Sequence, residues 1–148
     1  MSNMKVILLT LLYMISCMAW ANDKSGYQPA RVVYDLASRH TEEITNILDR
    51  ASMLQNVYSN DPFESSIIIV IHEQAIPFFV SDKKSKHRAI EQRAASLVTA
   101  EIIQFRICRA SAKMQGLTAK DFNSYIKLVP MADAEIIRLQ NEGYAYLK

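Results

Sequence analysis

One cysteine stands where two patterns meet, in the stretch "IIQFRICRASAKMQG". Cys108 closes an apolar, strand-like run, and a short helix-forming piece starts at Arg109. Within a strand, a cysteine is a small apolar filler. At the exit of a strand, facing the start of a helix, it can be a nucleophile. The first backbone N–H groups of a helix and its dipole stabilise a thiolate, and Arg109 adds a positive charge beside it. Both effects enlarge the reactive fraction at neutral pH.

Three more polar groups fall near strand ends. Asp35 follows "RVVY", and His72 and Glu73 follow "SIIIVI". His72 could hydrogen-bond the thiol or serve as a base. Asp35 reads as a turn residue or an acid. Sites in open α/β sheets form at the carboxyl ends of the strands. Whether these groups converge depends on strand order, which the sequence leaves open. His40 and His87 read as surface residues beside helix starts. The sequence has no CxxC, HExxH, GxGxxG, P-loop or GxSxG pattern, and no two histidines share a metal-ligand spacing. With only 3 glycines, a glycine-rich phosphate cradle is not available. Neither a cofactor nor a metal is expected.

The elements that must position these groups follow from periodicity. "ARVVYDLA" (30–37) has the texture of a strand. Ile44, Ile47, Leu48, Ala51 and Leu54 recur at helical spacing, with Thr41 as the expected cap and Glu42 and Glu43 in the first turn. The apolar run in 65–73 suits a strand covered on both faces. A helical turn is expected around Ile76–Val80, then a helix carrying Ile90, Ala94, Leu97 and Val98. The strand 102–108 precedes a short helix ending at Gly116. Thr118 and Asp121 stand at capping-box spacing. A strand at 125–130, a helix ending at Gly143 and a last strand in "YAYLK" complete the chain. Strands alternating with helices predict right-handed crossovers and a mainly parallel sheet of about five strands. The expected fold is a three-layer α/β/α sandwich in one domain, residues 30–148.

The first residues read differently. Lys5 precedes an apolar run from Val6 to Ile15, and Ala19-Trp20-Ala21 fits a signal-peptidase site. Residues 1–21 are expected to be a secretory signal, followed by a flexible lead over 22–29, which places the mature protein in the periplasm or outside the cell. The rival reading is lipidation at Cys17, within "MISC". The apolar run is short for a membrane-spanning helix. Cleavage after Ala21 leaves Cys108 as the lone cysteine, so no internal disulfide can form. The 148 residues carry a net charge of +2, with 17 Lys and Arg interleaved among 15 Asp and Glu. No basic stripe stands out, which gives no support to nucleic-acid binding.

The order of elements, the cysteine ending the third strand, "FRICRASAKMQGL" and the closing "VPMADAEIIRLQNEGYAYLK" together resemble the DsrE family of small α/β proteins of sulfur metabolism. The resemblance runs from about Ala30 to Lys148. It implies the α/β/α sandwich. It implies a persulfide-carrying cysteine at Cys108 and carries over no other residue. His72 and Arg109 stand, on the reading of the residues alone, as neighbours that could tune the thiol. It also implies sulfur donor and acceptor proteins as partners, and assembly into trimers or hexamers. The family's sulfur carriers are cytoplasmic, whereas this chain reads as exported. The expected function is binding or transfer of sulfane sulfur on Cys108, as a carrier rather than a turnover enzyme. The alternative is a non-catalytic binding or assembly module with a structural cysteine, in which the tyrosines of "EGYAYLK" serve a subunit contact.

Overall fold

The structure is a computed structural model that describes residues 27–58, 64–82, 86–98 and 102–148. The signal segment 1–21, Cys17 and most of the 22–29 lead lie outside the described residues. The chain runs β1 (Arg31–Leu36), α1 (Thr41–Tyr58), β2 (Ser66–Ile71), a 3-10 helix (Glu73–Phe79), α2 (Arg88–Leu97), β3 (Ile103–Cys108) and α3 (Arg109–Met114). A 3-10 turn (Ala119–Asp121), β4 (Ile126–Val129), α4 (Ala132–Asn141) and β5 (Ala145–Leu147) follow. The five strands form one sheet in the order β4-β3-β2-β1-β5, with every pair parallel. The alternation of strands and helices read from the sequence is therefore the observed fold.

Handedness accounts for the layers. From β1 to β4 each crossover steps the same way across the sheet. Right-handed connections then leave their helices on one face. There, Ile44, Ile47, Leu48 and Ala51 of α1 and Ile90, Ala94 and Leu97 of α2 pack against Tyr34, Leu36, Ile69, Phe105 and Ile107. After β4 the chain must return across the whole sheet to lie beside β1. That reversal puts α4 on the opposite face, where Ala132, Ile136 and Leu139 cover Val33, Ile68, Val70 and Cys108. The central strands are buried on both faces, hence the unbroken apolar run Ile67–Ile71. No helix among the described residues is long and apolar enough to cross a membrane.

The ends of elements shift slightly from the sequence reading. Ile44 N–H donates to His40 O, so α1 is capped one residue before Thr41. The turn expected around Ile76–Val80 starts earlier, at Glu73, which stands at φ 49°. The spacing of Thr118 and Asp121 does close a capping interaction, since Asp121 Oδ2 accepts from Thr118 N–H at 2.7 Å and from the Thr118 hydroxyl at 2.9 Å. It caps a single 3-10 turn rather than an α-helix. His40 is exposed, but His87 is half-buried with its ring centroid 3.9 Å from that of Phe78.

Gly116 and Gly143 end α3 and α4 as expected. At φ 74° and 89° they let the chain turn left-handed. Leu117 N–H then reaches back to Ala112 O at 2.9 Å, and Tyr144 N–H to Leu139 O at 3.0 Å. Nothing lies within 4 Å of where a Cβ would stand at Gly143, so only backbone strain opposes a side chain there. Gly143→Ala is expected to cost about 1–2 kcal/mol, read as a shift of the urea midpoint at unchanged slope.

Candidate functional site

Cys108 is the last residue of β3 and pairs with Val129, the last residue of β4. After β3 the chain turns to α3, whose Ala112 joins the core on the α1/α2 face. After β4 it turns to α4 on the other face. Two adjacent strands whose exits diverge to opposite faces open a crevice at their carboxyl ends, the usual ligand position in open α/β sheets. Cys108 stands at that switch point, and this location explains its surroundings.

Two helix starts point at the sulfur. Cys108 is the N-cap of α3, with Sγ accepting from Ser111 N–H at 3.4 Å. Ala132 is the first residue of α4. Burial pushes the thiol pKa up, but the Ser111 hydroxyl and the backbone N–H groups of Ser111, Ala132 and Ala110 pull it down. The hydrogen bonds win, and the net direction is downward. A group 3% exposed would otherwise favour the neutral thiol. Arg109 is exposed and is not among the causes of the shift; of the groups that lower it, the Ser111 hydroxyl comes first, ahead of the backbone N–H groups. Ser111→Ala is expected to move the midpoint of Cys108 alkylation to higher pH, because one donor to the thiolate is lost. Iodoacetamide rates across pH give that midpoint.

The other polar groups fall into one row. Side chains alternate between faces along a strand. Val33, Ile68, Val70 and Cys108 share the α4 face, so Asp35 and the extended residue His72 follow on it. The ladder pair Ile71↔Ile107 sets His72 level with Cys108 on the next strand. His72 Nε2 lies 2.6 Å from Asp35 Oδ1, and the Tyr146 hydroxyl donates to Asp35 Oδ2 at 2.7 Å. The row reads Cys108 on β3, His72 just past the end of β2, Asp35 on β1 and Tyr146 on β5. His72 Nε2 is thus engaged by Asp35. Tyr146, one of the tyrosines read from the sequence as a possible subunit contact, is partly exposed and reaches into this row with its hydroxyl. Its pKa is pushed up to about 12, first by the hydrogen bond to Asp35, then by burial and the carboxylate charge.

Space adjoins the middle of the row and the residues beside its thiol. A cleft of about 760 Å³ is lined by Asp35, His72, Glu42, Asn46, Arg50 and Lys148, with Leu36 and Ile47 as apolar floor. A second, of about 710 Å³, is lined by Arg39, Glu73, Gln74, Ser111, Met114 and Gln115, and borders the thiol through Ser111. Gln115 Nε2 donates to Glu73 O at 2.7 Å, tying α3 to the positive-φ residue that shares the wall of the second cleft. Among the described residues no group of three or more His, Cys, Asp or Glu is placed to hold a metal ion.

The architecture defines a parallel α/β protein with a thiol at its topological switch point. The sequence profile of the DsrE/DsrF-like family matches residues 32–148, and the chain belongs to that family. No curated protein matches it. Among solved structures it is similar to a protein of unknown function from Methanobacterium thermoautotrophicum, with a TM-score of 0.62 and 19% identity over 80% of this chain and 97% of the other. It is also similar to the ychN protein of E. coli, with a TM-score of 0.57 and 13% identity over 81% and 97%. At these identities the likeness concerns the fold.

Proposed function

We propose that the protein binds or transfers sulfane sulfur as a persulfide on Cys108. Membership of a family generally associated with sulfur relay supports the reading. The observation that carries it is the position of the buried thiol between the N-termini of α3 and α4, where N–H groups offset the penalty for a sulfur anion. In the forward step the Cys108 thiolate attacks the outer sulfur of a donor persulfide, R–S–SH. A new S–S bond forms on Cys108, the S–S bond of the donor breaks, and its electron pair stays on the departing R–S⁻, which takes a proton. An acceptor thiolate then attacks the outer sulfur of Cys108–SSH in the same way. The N–H groups stabilise the anion before and after loading. No metal or organic cofactor enters these steps.

The account extends to the chain's surroundings. We place the mature protein in the periplasm or outside the cell, after cleavage near Ala21, with lipidation at Cys17 as the alternative. Donor and acceptor proteins are its partners, and a homo-oligomer, trimer or hexamer, is its state of assembly. The competing account is a binding or assembly module with an inert cysteine, and the burial of Cys108 at 3% exposure is the observation in its favour. Alkylation of the folded protein separates the two. A carrier reacts while folded, with a midpoint below that of an ordinary cysteine. A structural cysteine reacts only after unfolding.

A further inference from the structure

We propose that His72, held by Asp35 and Tyr146, is the group that exchanges a proton with the Cys108 thiol. Three observations independent of the thiol's own hydrogen bonds lead here. The sheet order places Cys108 on β3, His72 directly after β2, Asp35 on β1 and Tyr146 on β5, at neighbouring positions on one face. The imidazole is anchored, with Nε2 at 2.6 Å from Asp35 Oδ1, and Asp35 is itself anchored by the Tyr146 hydroxyl at 2.7 Å. His72 and Asp35 are largely shielded, with side chains 13% and 20% exposed, yet both line the 760 Å³ cleft.

The anchoring fixes which nitrogen is available. With Nε2–H donated to Asp35, the neutral ring carries its lone pair on Nδ1. Glu73 Oε1 lies 3.8 Å from Nδ1, beyond hydrogen-bond reach. Cys108 lies level with His72 on the neighbouring strand, one strand spacing of about 4.8 Å away along the backbone. Side chains on one face at that backbone spacing can be bridged by one water, and the proposed exchange runs through such a water. The thiol gives its proton to the imidazole and keeps the electron pair as thiolate, and the imidazolium retains its bond to Asp35. In the transfer proposed above, a step that rests on that reading, the imidazolium returns the proton to the departing R–S⁻. The charged groups around His72 are Asp35 from β1, Glu73 from the 3-10 helix and Cys108 from β3. Glu42, Glu43 and Arg50 of α1 and Lys148 line the same cleft. Glu135 and Arg138 of α4 are turned to Arg106 and to each other.

Coupled titration tests the assignment. The His72 ring proton is followed by NMR from pH 4 to pH 10 in the full-length protein and in Cys108→Ser. Ionisation of the thiol favours the imidazolium, so the two midpoints are expected to differ by about half a pH unit or more. Iodoacetamide rates for Cys108 in Asp35→Asn and His72→Gln are expected to shift together to higher pH, while Tyr146→Phe shifts them less. Coincident His72 curves, or rate profiles unchanged in Asp35→Asn, would overturn the proposal. The wild-type and Cys108→Ser comparison stands even if His72→Gln fails to fold. Sulfur loading is a separate readout. If Cys108 loads but the titrations are uncoupled, the relay fails and the carrier stands; coupled titrations without loading give the reverse.

Discussion

Glu135→Ala is expected to destabilise the protein by about 3 kcal/mol at neutral pH, at the lower end of what removing one partner of a buried ion pair costs. Arg106 lies on the sheet face under α4 and is 7% exposed. Its guanidinium bonds Glu135 through Nη1 and Gln104 Oε1 through Nη2 at 3.0 Å, and among the described residues its Nε has no partner. Removing the carboxylate strands a buried cation that cannot shed its proton. Glu135 also binds Arg138, at 3.1 and 2.9 Å. The Arg138 hydrogen bonds first, and then those and the charge of Arg106, hold the Glu135 carboxyl at about 2 against the opposing effect of burial. A carboxyl lowered by folding stabilises the protein above its unfolded value, near 4.3. That stabilisation is lost as pH falls through the folded value. Wild type should therefore lose stability between about pH 4.5 and pH 2, while Glu135→Ala, already weakened, shows a shallower decline in urea midpoints over the same window.

Cys108→Ser is expected to abolish sulfur loading while leaving the fold intact. Serine has nearly the shape of cysteine and can accept the same N–H groups, so the α3 cap survives the change. Its hydroxyl does not ionise in the working range and forms no persulfide. The expected loss is complete rather than partial, because Cys108 is the only cysteine left once a leader ending at Ala21 is removed. Thermal melts of the two proteins should lie within a few degrees of each other. Residual sulfur on Cys108→Ser would place the chemistry elsewhere.

Periodicity alone carried much of this architecture. Ile44, Ile47, Leu48 and Ala51 announced the buried face of α1, and the isoleucine run announced a strand covered on both sides. Gly116 and Gly143 marked the ends of α3 and α4 because only a left-handed turn stops those helices there. Cys108 was legible for a local reason, since the strand-to-helix junction that makes it a cap lies within a few residues. The row beyond it was not. His72 and Asp35 are 37 residues apart and Tyr146 is 111 from Asp35, and their meeting depends on strand order. Strand order is set by how crossovers pack, not by any pattern along the chain. The same dependence hid the second donor to the thiol, because Ala132 approaches Cys108 only when β4 lies next to β3. Arg109, adjacent in sequence, is exposed and is not among the groups that shift the thiol.

The most direct measurement is the intact mass of the folded mature protein after brief exposure to polysulfide, followed by thiol alkylation. The account predicts a gain of one or more sulfur atoms on Cys108, removed by a reducing thiol and missing in Cys108→Ser. A protein that emerges with Cys108 neither sulfurated nor alkylated while folded, yet alkylated once unfolded, would contradict it and leave the cysteine a structural one.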